Sequence, residues 1–199
     1  VLKKHKMEEK SMSEVRIGLI GGGWMGKAHT TAFHNAKMIF GDDMPVFEMV
    51  SDVTEEAAQK FAEQMGYARY TADWHDVVSD PAVDLVDVAT PNCMHYEMAK
   101  AALENGKHVF CEKPLSLSAQ QSSELAKLAK EKGVINYCGF SNIMNPANQY
   151  VAELVKSGRL GKIMRVHATY DQDMLLDPKI PLAWRHINKL AGSGALGDL

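Results

Sequence analysis

Two patterns of apolar residues alternate along this chain. Short apolar runs bounded by turn residues read as buried strands, and longer stretches with apolar residues three and four apart read as helices. The first run covers residues 15–20; a glycine-rich turn follows, then a helical stretch over 27–37. Residues 45–52 form a second predicted strand, and 54–65 an amphipathic helix closed by Gly66. A short strand over 67–70 and a short surface helix over 73–78 come next, then a turn at Asp80-Pro81. The alternation continues with a strand over 83–89, a helix over 95–105 ended by Gly106, and a strand over 107–111. A helix over 118–132, capped by Ser118 and stopped by Gly133, leads to a last strand over 134–140.

Strands that alternate with helices predict a parallel sheet with right-handed crossovers, that is, a doubly wound α/β domain. The pattern changes after Phe140. Asn145-Pro146 opens a helix to about Lys156, residues 157–161 form a turn, and 162–170 alternate as a strand with one solvated face. A long loop containing Pro178 and Pro181 is interrupted by residues 182–185, and 191–199 are glycine-rich. The expected organisation is a lysine-rich flexible arm over 1–14, a doubly wound domain over 15–140, and the start of an incomplete α+β domain over 141–199.

Ligands of parallel sheets sit beyond the carboxyl ends of the strands. The residues to weigh are therefore Gly21 to Gly26, Asp52, Thr90 to Asn92, and Glu112 to Pro114. Gly21, Gly23 and Gly26 fit G-x-G-x-x-G between a strand and a helix. Gly21 permits the tight turn, Gly23 lets backbone approach a pyrophosphate, and Gly26 lets the helix pack closely on the strand. Trp24 and Met25 fill the turn, and the helix N-terminus offers free N–H groups to phosphate. Asp52 lies 26 positions after Gly26, where a carboxylate binding the adenosine ribose is expected, with Val53 beside it. A carboxylate there favours NAD over NADP; the competing reading is an acid at a helix N-terminus.

Composition narrows the class. The 199 residues are 46% hydrophobic and 24% charged, with a net charge of −3, which gives no reason to expect a nucleic-acid partner. No apolar run approaches membrane-span length. Three widely spaced cysteines without a C-x-x-C pair suit a reducing cytoplasm and argue against a thiolate metal site. His29 and His34 are five apart, a poor spacing for two ligands on one helix face, so no metal is expected. Cys93 and Cys111 read as small apolar fillers, Trp74 and His75 as packing and surface residues, and His29 as packing beneath the glycine turn.

The combination Gly21-x-Gly23-x-x-Gly26-x-x-His29, Thr90-Pro91-Asn92-x-x-His95 and Glu112-Lys113-Pro114 resembles the glucose–fructose oxidoreductase and inositol dehydrogenase (Gfo/Idh/MocA) family. Gly139-Phe140, Asn145-Pro146, Trp184-Arg185 and residues 192–198 extend the resemblance over 15–199. The glycine turn, Asp73-Trp74 and residues 191–198 look most like the levoglucosan-oxidising subgroup. The resemblance implies NAD(P)-dependent oxidation of a secondary hydroxyl on a sugar, anhydrosugar or cyclic polyol, or the reverse reduction. It places Lys113 beside the nicotinamide and the substrate hydroxyl, often with a cis Lys-Pro peptide. Thr90, Pro91, Asn92, His95 and Glu112 join the cofactor set. Glu112 bonds cofactor or substrate, or pairs with Lys113. Trp184-Arg185 reaches the nicotinamide carboxamide or anchors a loop.

Two departures stand out. Asn142, Ile143 and Met144 replace a Tyr-Arg or Arg-Arg pair, so arginine contacts with substrate do not transfer. In the family pattern Asp198, a catalytic candidate, is followed four residues later by an acid/base His, whereas this sequence stops at Leu199. The expected protein is a cytoplasmic dehydrogenase, homo-oligomeric if its second sheet is complete. The alternative is a non-catalytic NAD-binding sensor or assembly module.

Overall fold

The computed structural model describes residues 14–41, 45–171, 173, 177, 179–192 and 194. Six parallel strands form one sheet: β1 (Arg16–Ile20), β2 (Val46–Ser51), β3 (Arg69–Thr71), β4 (Leu85–Val88), β5 (His108–Cys111) and β6 (Asn136–Cys138). Their spatial order is β3-β2-β1-β4-β5-β6. The chain runs outward from β1 to β3, then crosses to the other side of β1. That reversal between β1 and β4 is the point at which such sheets bind ligands.

Helices cover both faces. Helices α1 (Trp24–Phe40) and α2 (Glu55–Met65) lie on one, and α3 (Trp74–Ser79), α4 (Asn92–Glu104) and α5 (Ala119–Lys132) on the other. The buried strand residues divide between two cores. Ile17, Leu19, Phe47 and Val50 pack with Phe61, Ala62 and Tyr67 near α2. Ile20, Val86, Val88, Val109 and Cys111 pack with Val77, Met98, Leu103 and Leu125 from α3, α4 and α5. Burial on both faces explains why the strands read as near-continuous apolar runs.

The capping signals act as expected. Thr54 and Ser118 accept from the backbone N–H groups of Ala57 and Gln121, and Gly66 and Gly133 close α2 and α5 at φ of 83° and 66°. The structure departs from the sequence reading in several places. Helix α1 begins at Trp24, inside the glycine motif, and Lys27 donates its N–H to the Gly23 carbonyl. Helix α4 likewise starts at Asn92, directly after Pro91. Helix α3 is not merely a surface element, because Val77 and Val78 are fully in the core. Residues 162–170 are exposed and pair with no strand among the described residues. Alternation alone gives no ladder without a partner.

Beyond β6 the chain makes a 3-10 turn over Ser141–Met144 and helix α6 (Pro146–Lys156), capped by the Asn145 side chain. A second 3-10 turn, Trp184–His186, leads into the short helix α7 (Asn188–Ala191). Helix α7 docks on α4: Ala191 is buried, and Asn92 donates its side-chain N–H to the Ala191 carbonyl at 3.1 Å. This contact brings Trp184 and Arg185 back over the carboxyl edge of the sheet. Among the described residues no helix is long and apolar enough to cross a membrane.

Candidate functional site

A cavity of about 1140 Å³ opens along the carboxyl edge of the sheet, centred on the β1–β4 switch. Gly21, Gly23, Trp24 and Met25 form its floor; Asp52, Val53, Ala72 and Trp74 line one end. Thr90, Pro91 and Asn92 line the middle, and Glu112, Lys113, Phe140, Asn142, Ile143, Tyr170, Trp184 and Arg185 the other end. One crevice thus gathers most of the residues singled out from the sequence.

The glycine turn has the shape of a phosphate cradle. Gly21 has φ of +102°, the left-handed region that disfavours side chains, and its N–H donates to the Ser51 carbonyl. A Cβ on Gly26 would run into the Gly21 carbonyl oxygen, whereas a Cβ on Gly23 would meet nothing within 4 Å. Gly26 therefore lets α1 start close against the turn, and Gly23 leaves backbone facing open space. The second glycine of the run matters too, which the motif does not reveal: a Cβ on Gly22 would lie 2.7 Å from Asp52 Oδ2 and 2.8 Å from the Phe61 ring.

Asp52 sits just past β2 with its Oδ1 accepting the Val53 N–H at 2.7 Å. Thr54, rather than Asp52, caps α2, and Glu55 and Glu56 supply the acids of its first turn. Trp74, expected only as packing, also lines the Asp52 end of the cavity and stacks on His75 at 3.8 Å between ring centroids.

At the far end, Glu112 follows β5, and the Lys113-Pro114 peptide is cis. Glu112 is only 7% exposed. Its Oε2 accepts the Lys113 backbone N–H at 3.1 Å, and its Oε1 faces His29 Nε2 at 3.1 Å. Gly139 makes room for it, since a Cβ there would lie 2.6 Å from Oε1. Arg185 stacks its guanidinium on the Trp184 ring at 4.4 Å. Asn142 and Ile143 reach the cavity wall, while Met144 is largely exposed away from it.

One expected cofactor contact lies elsewhere. His95 is fully buried, and its ring nitrogens are 2.7 Å from the Pro114 carbonyl and 2.8 Å from the Thr90 carbonyl. It clamps two strand-end loops together from behind the cavity. Asp198, assigned to catalysis by resemblance, lies outside the described residues.

The sequence reading also missed a buried charge cluster. His29 Nδ1 is 3.0 Å from both oxygens of Asp87, completing an Asp87–His29–Glu112 chain. Asp87 interrupts the apolar β4, and an acid in a buried strand was the available signal. Burial lowers the proton affinity of His29, but the two carboxylates outweigh it and raise its pKa to about 9. Burial pushes the Asp87 carboxyl and the Cys111 thiol up, and the Cys138 thiol up to about 11. These two cysteines are thus poor thiolates. Among the described residues no group of three or more His, Cys, Asp or Glu side chains is arranged to hold a metal ion.

Comparison with known proteins agrees with this geometry. Residues 15–140 match the oxidoreductase family with an NAD-binding Rossmann fold, and 148–199 match the GFO/IDH/MocA C-terminal domain. The levoglucosan dehydrogenase of Pseudarthrobacter phenanthrenivorans is 38% identical over 190 residues, which are 94% of this chain and 49% of that protein. The scyllo-inositol 2-dehydrogenase (NAD(+)) of Bacillus subtilis is 32% identical over 153 residues, 75% of this chain and 42% of that protein. A levoglucosan dehydrogenase structure in complex with NADH and levoglucosan superposes with a TM-score of 0.87 at 38% identity, covering 94% of this chain and 51% of that one. The chain spans about half the length of the curated relatives it matches. With the β1–β4 crevice, the glycine cradle and the Glu112-Lys113-Pro114 turn in place, the chain belongs to the Gfo/Idh/MocA oxidoreductase family and carries its NAD-binding Rossmann fold.

Proposed function

We propose that the protein bearing this chain is an NAD-dependent dehydrogenase that oxidises a secondary hydroxyl of an anhydrosugar, sugar or cyclic polyol, or reduces the corresponding ketone. The observation that carries the reading is that Lys113 lines the same crevice as the glycine cradle and Asp52. The named relatives act on levoglucosan and inositols, which favours an enzyme over a non-catalytic sensor.

The residues present suit a dinucleotide. Gly21, Gly23 and the start of α1 would hold the pyrophosphate, with Trp24 and Met25 beside it. Asp52 would accept from the adenosine ribose hydroxyls, with Val53 and Trp74 alongside, which favours NAD over NADP. Thr90, Pro91, Asn92, Trp184 and Arg185 would frame the nicotinamide end. When bound, the nicotinamide supplies the acceptor for the substrate hydride. Lys113 would hydrogen-bond the reacting hydroxyl and hold or relay its proton, and Asp198 would assist. Glu112 would fix the Lys113 backbone. Phe140, Ile143 and Tyr170 give the substrate end an apolar wall suited to a ring face.

The same proposal divides the chain into an arm over 1–14, a cofactor domain over 15–140 and the first part of a substrate domain over 141–199. It extends to a cytoplasmic setting, which the three free cysteines suit, and to pairing of two copies through the second domain.

The test is NAD reduction by the full-length protein with levoglucosan, myo-inositol and scyllo-inositol. We expect turnover with at least one of them. Lys113→Ala should lower kcat on the order of a hundredfold or more and leave NAD affinity within about threefold. No reduction with any polyol or sugar, or an unchanged rate in Lys113→Ala, would refute the reading.

A further inference from the structure

His29, Asp87 and Glu112 form a buried chain that crosses three elements. Asp87 is on β4 at 1% exposure, His29 on α1 at 9%, and Glu112 just past β5 at 7%. The imidazole lies between the carboxylates at 3.0 and 3.1 Å, and the Phe110 ring stacks on it at 4.7 Å. Both ring nitrogens face carboxylate oxygens, so both act as donors and the ring is an imidazolium. A ring with both N–H groups committed has no lone pair with which to accept a proton. It is therefore no proton shuttle at neutral pH.

A buried cluster of this kind is seldom the cheapest way to fill a core; apolar side chains of similar volume usually serve stability as well. Its position gives it another use. The far oxygen of Glu112 takes the Lys113 backbone N–H, and the carboxylate fits against the bare backbone of Gly139, where a Cβ would lie 2.6 Å from Oε1. The carboxylate is thus held at one oxygen by His29 and at the other by Lys113. Its orientation decides where the Lys113 main chain enters the cavity.

We propose that His29 is a positioning residue: anchored by Asp87, its imidazolium locks Glu112 so that Glu112 fixes the backbone from which Lys113 serves the reacting hydroxyl. This rests on the reading of Lys113 given above. Loss of the lock leaves the cofactor cradle intact and misplaces one group at the other end of the cavity. Small displacements of a reacting group are costly, on the order of a hundredfold for about 1 Å.

The test compares His29→Gln and Glu112→Gln with wild type and Lys113→Ala in the full-length protein. NAD affinity, the number of NAD sites per chain, kcat and KM are measured. In Glu112→Gln the amide can accept from His29 or from Lys113 N–H, not both, so it probes the same lock by a different route. We expect each glutamine variant to lose ten- to a hundredfold in kcat per NAD site, with NAD affinity and substrate KM within about threefold. The proposal is overturned if kcat per NAD site is unchanged in either variant, because lost activity would then reflect only lost folded protein. It is also overturned if the loss falls on NAD affinity instead. If Lys113→Ala retains full turnover, the reading of Lys113 fails first. If Lys113→Ala is dead while His29→Gln keeps full turnover per site, only the positioning role fails.

Discussion

At the scale of single residues, the glycine turn works through exclusion. Gly26 leaves no space for a methyl group against the Gly21 carbonyl, which is backbone and cannot rotate away. Gly26→Ala should push α1 off the turn, costing on the order of 1–3 kcal/mol in stability. It should also weaken NAD binding on the order of tenfold, measured by calorimetric titration. Binding at wild-type strength would show that α1 can shift without spoiling the cradle. The three motif glycines were legible in the sequence because their constraints stay within one six-residue turn: Gly21 takes a positive φ, Gly26 abuts the Gly21 carbonyl, and Gly23 faces open space. Gly22 was not, because its constraint comes from Asp52 and Phe61, some thirty or more residues away in the chain. For the same reason His95 was legible as part of a motif but not as a clamp on two carbonyls.

At the scale of elements, local signals governed the ends and packing governed the rest. Ser118 caps α5 through the Gln121 N–H, 3.2 Å away. Ser118→Ala should lower stability by about 1 kcal/mol with little effect on kcat, read as a shift in the denaturation midpoint. Helix α3 shows the limit of local reading. Its six residues include two valines that look modest in sequence, yet Val77 and Val78 sit in the central core against β1 and α4. The stretch 162–170 shows the opposite limit. It has a strand's alternation, but a strand exists only as a paired ladder, and the described residues offer it none. Helix α7 was hidden because four residues have almost no intrinsic helicity; it stands by docking on α4.

At the scale of the whole molecule, the buried charges link stability to pH. His29 titrates near 9 in the fold against 6.5 for an unperturbed imidazole. Its stabilising contribution is therefore complete below pH 6.5 and is lost as pH rises through about 9. The groups facing it are Asp87 on β4 and Glu112 beyond β5. Tyr67 near α2 and the Cys111 and Cys138 thiols carry raised proton affinities of their own. Burial raises the Asp87 pKa, so ionisation of that acid opposes stability. We expect the wild-type Tm to fall between pH 6.5 and 9, and His29→Gln, with a lower Tm throughout, to lack that fall. Equal slopes in the two proteins would refute the assignment of the charge to His29.

The sequence alone determined the doubly wound class, the glycine turn between β1 and α1, the acid at the end of β2 and the Glu112-Lys113-Pro114 turn. Each depends on periodicity, on capping, or on a few neighbouring residues whose spacing is set by the backbone. Only the tertiary structure decided which of those residues share a cavity, and that Trp74, Trp184 and Arg185 join it while His95 stays beneath it. It also joined His29, Asp87 and Glu112, which stand 58 and 25 positions apart in the chain. Contacts of that kind arise only when strands are laid side by side and a helix is packed across them. No local pattern encodes which buried carboxylate a buried imidazole will meet.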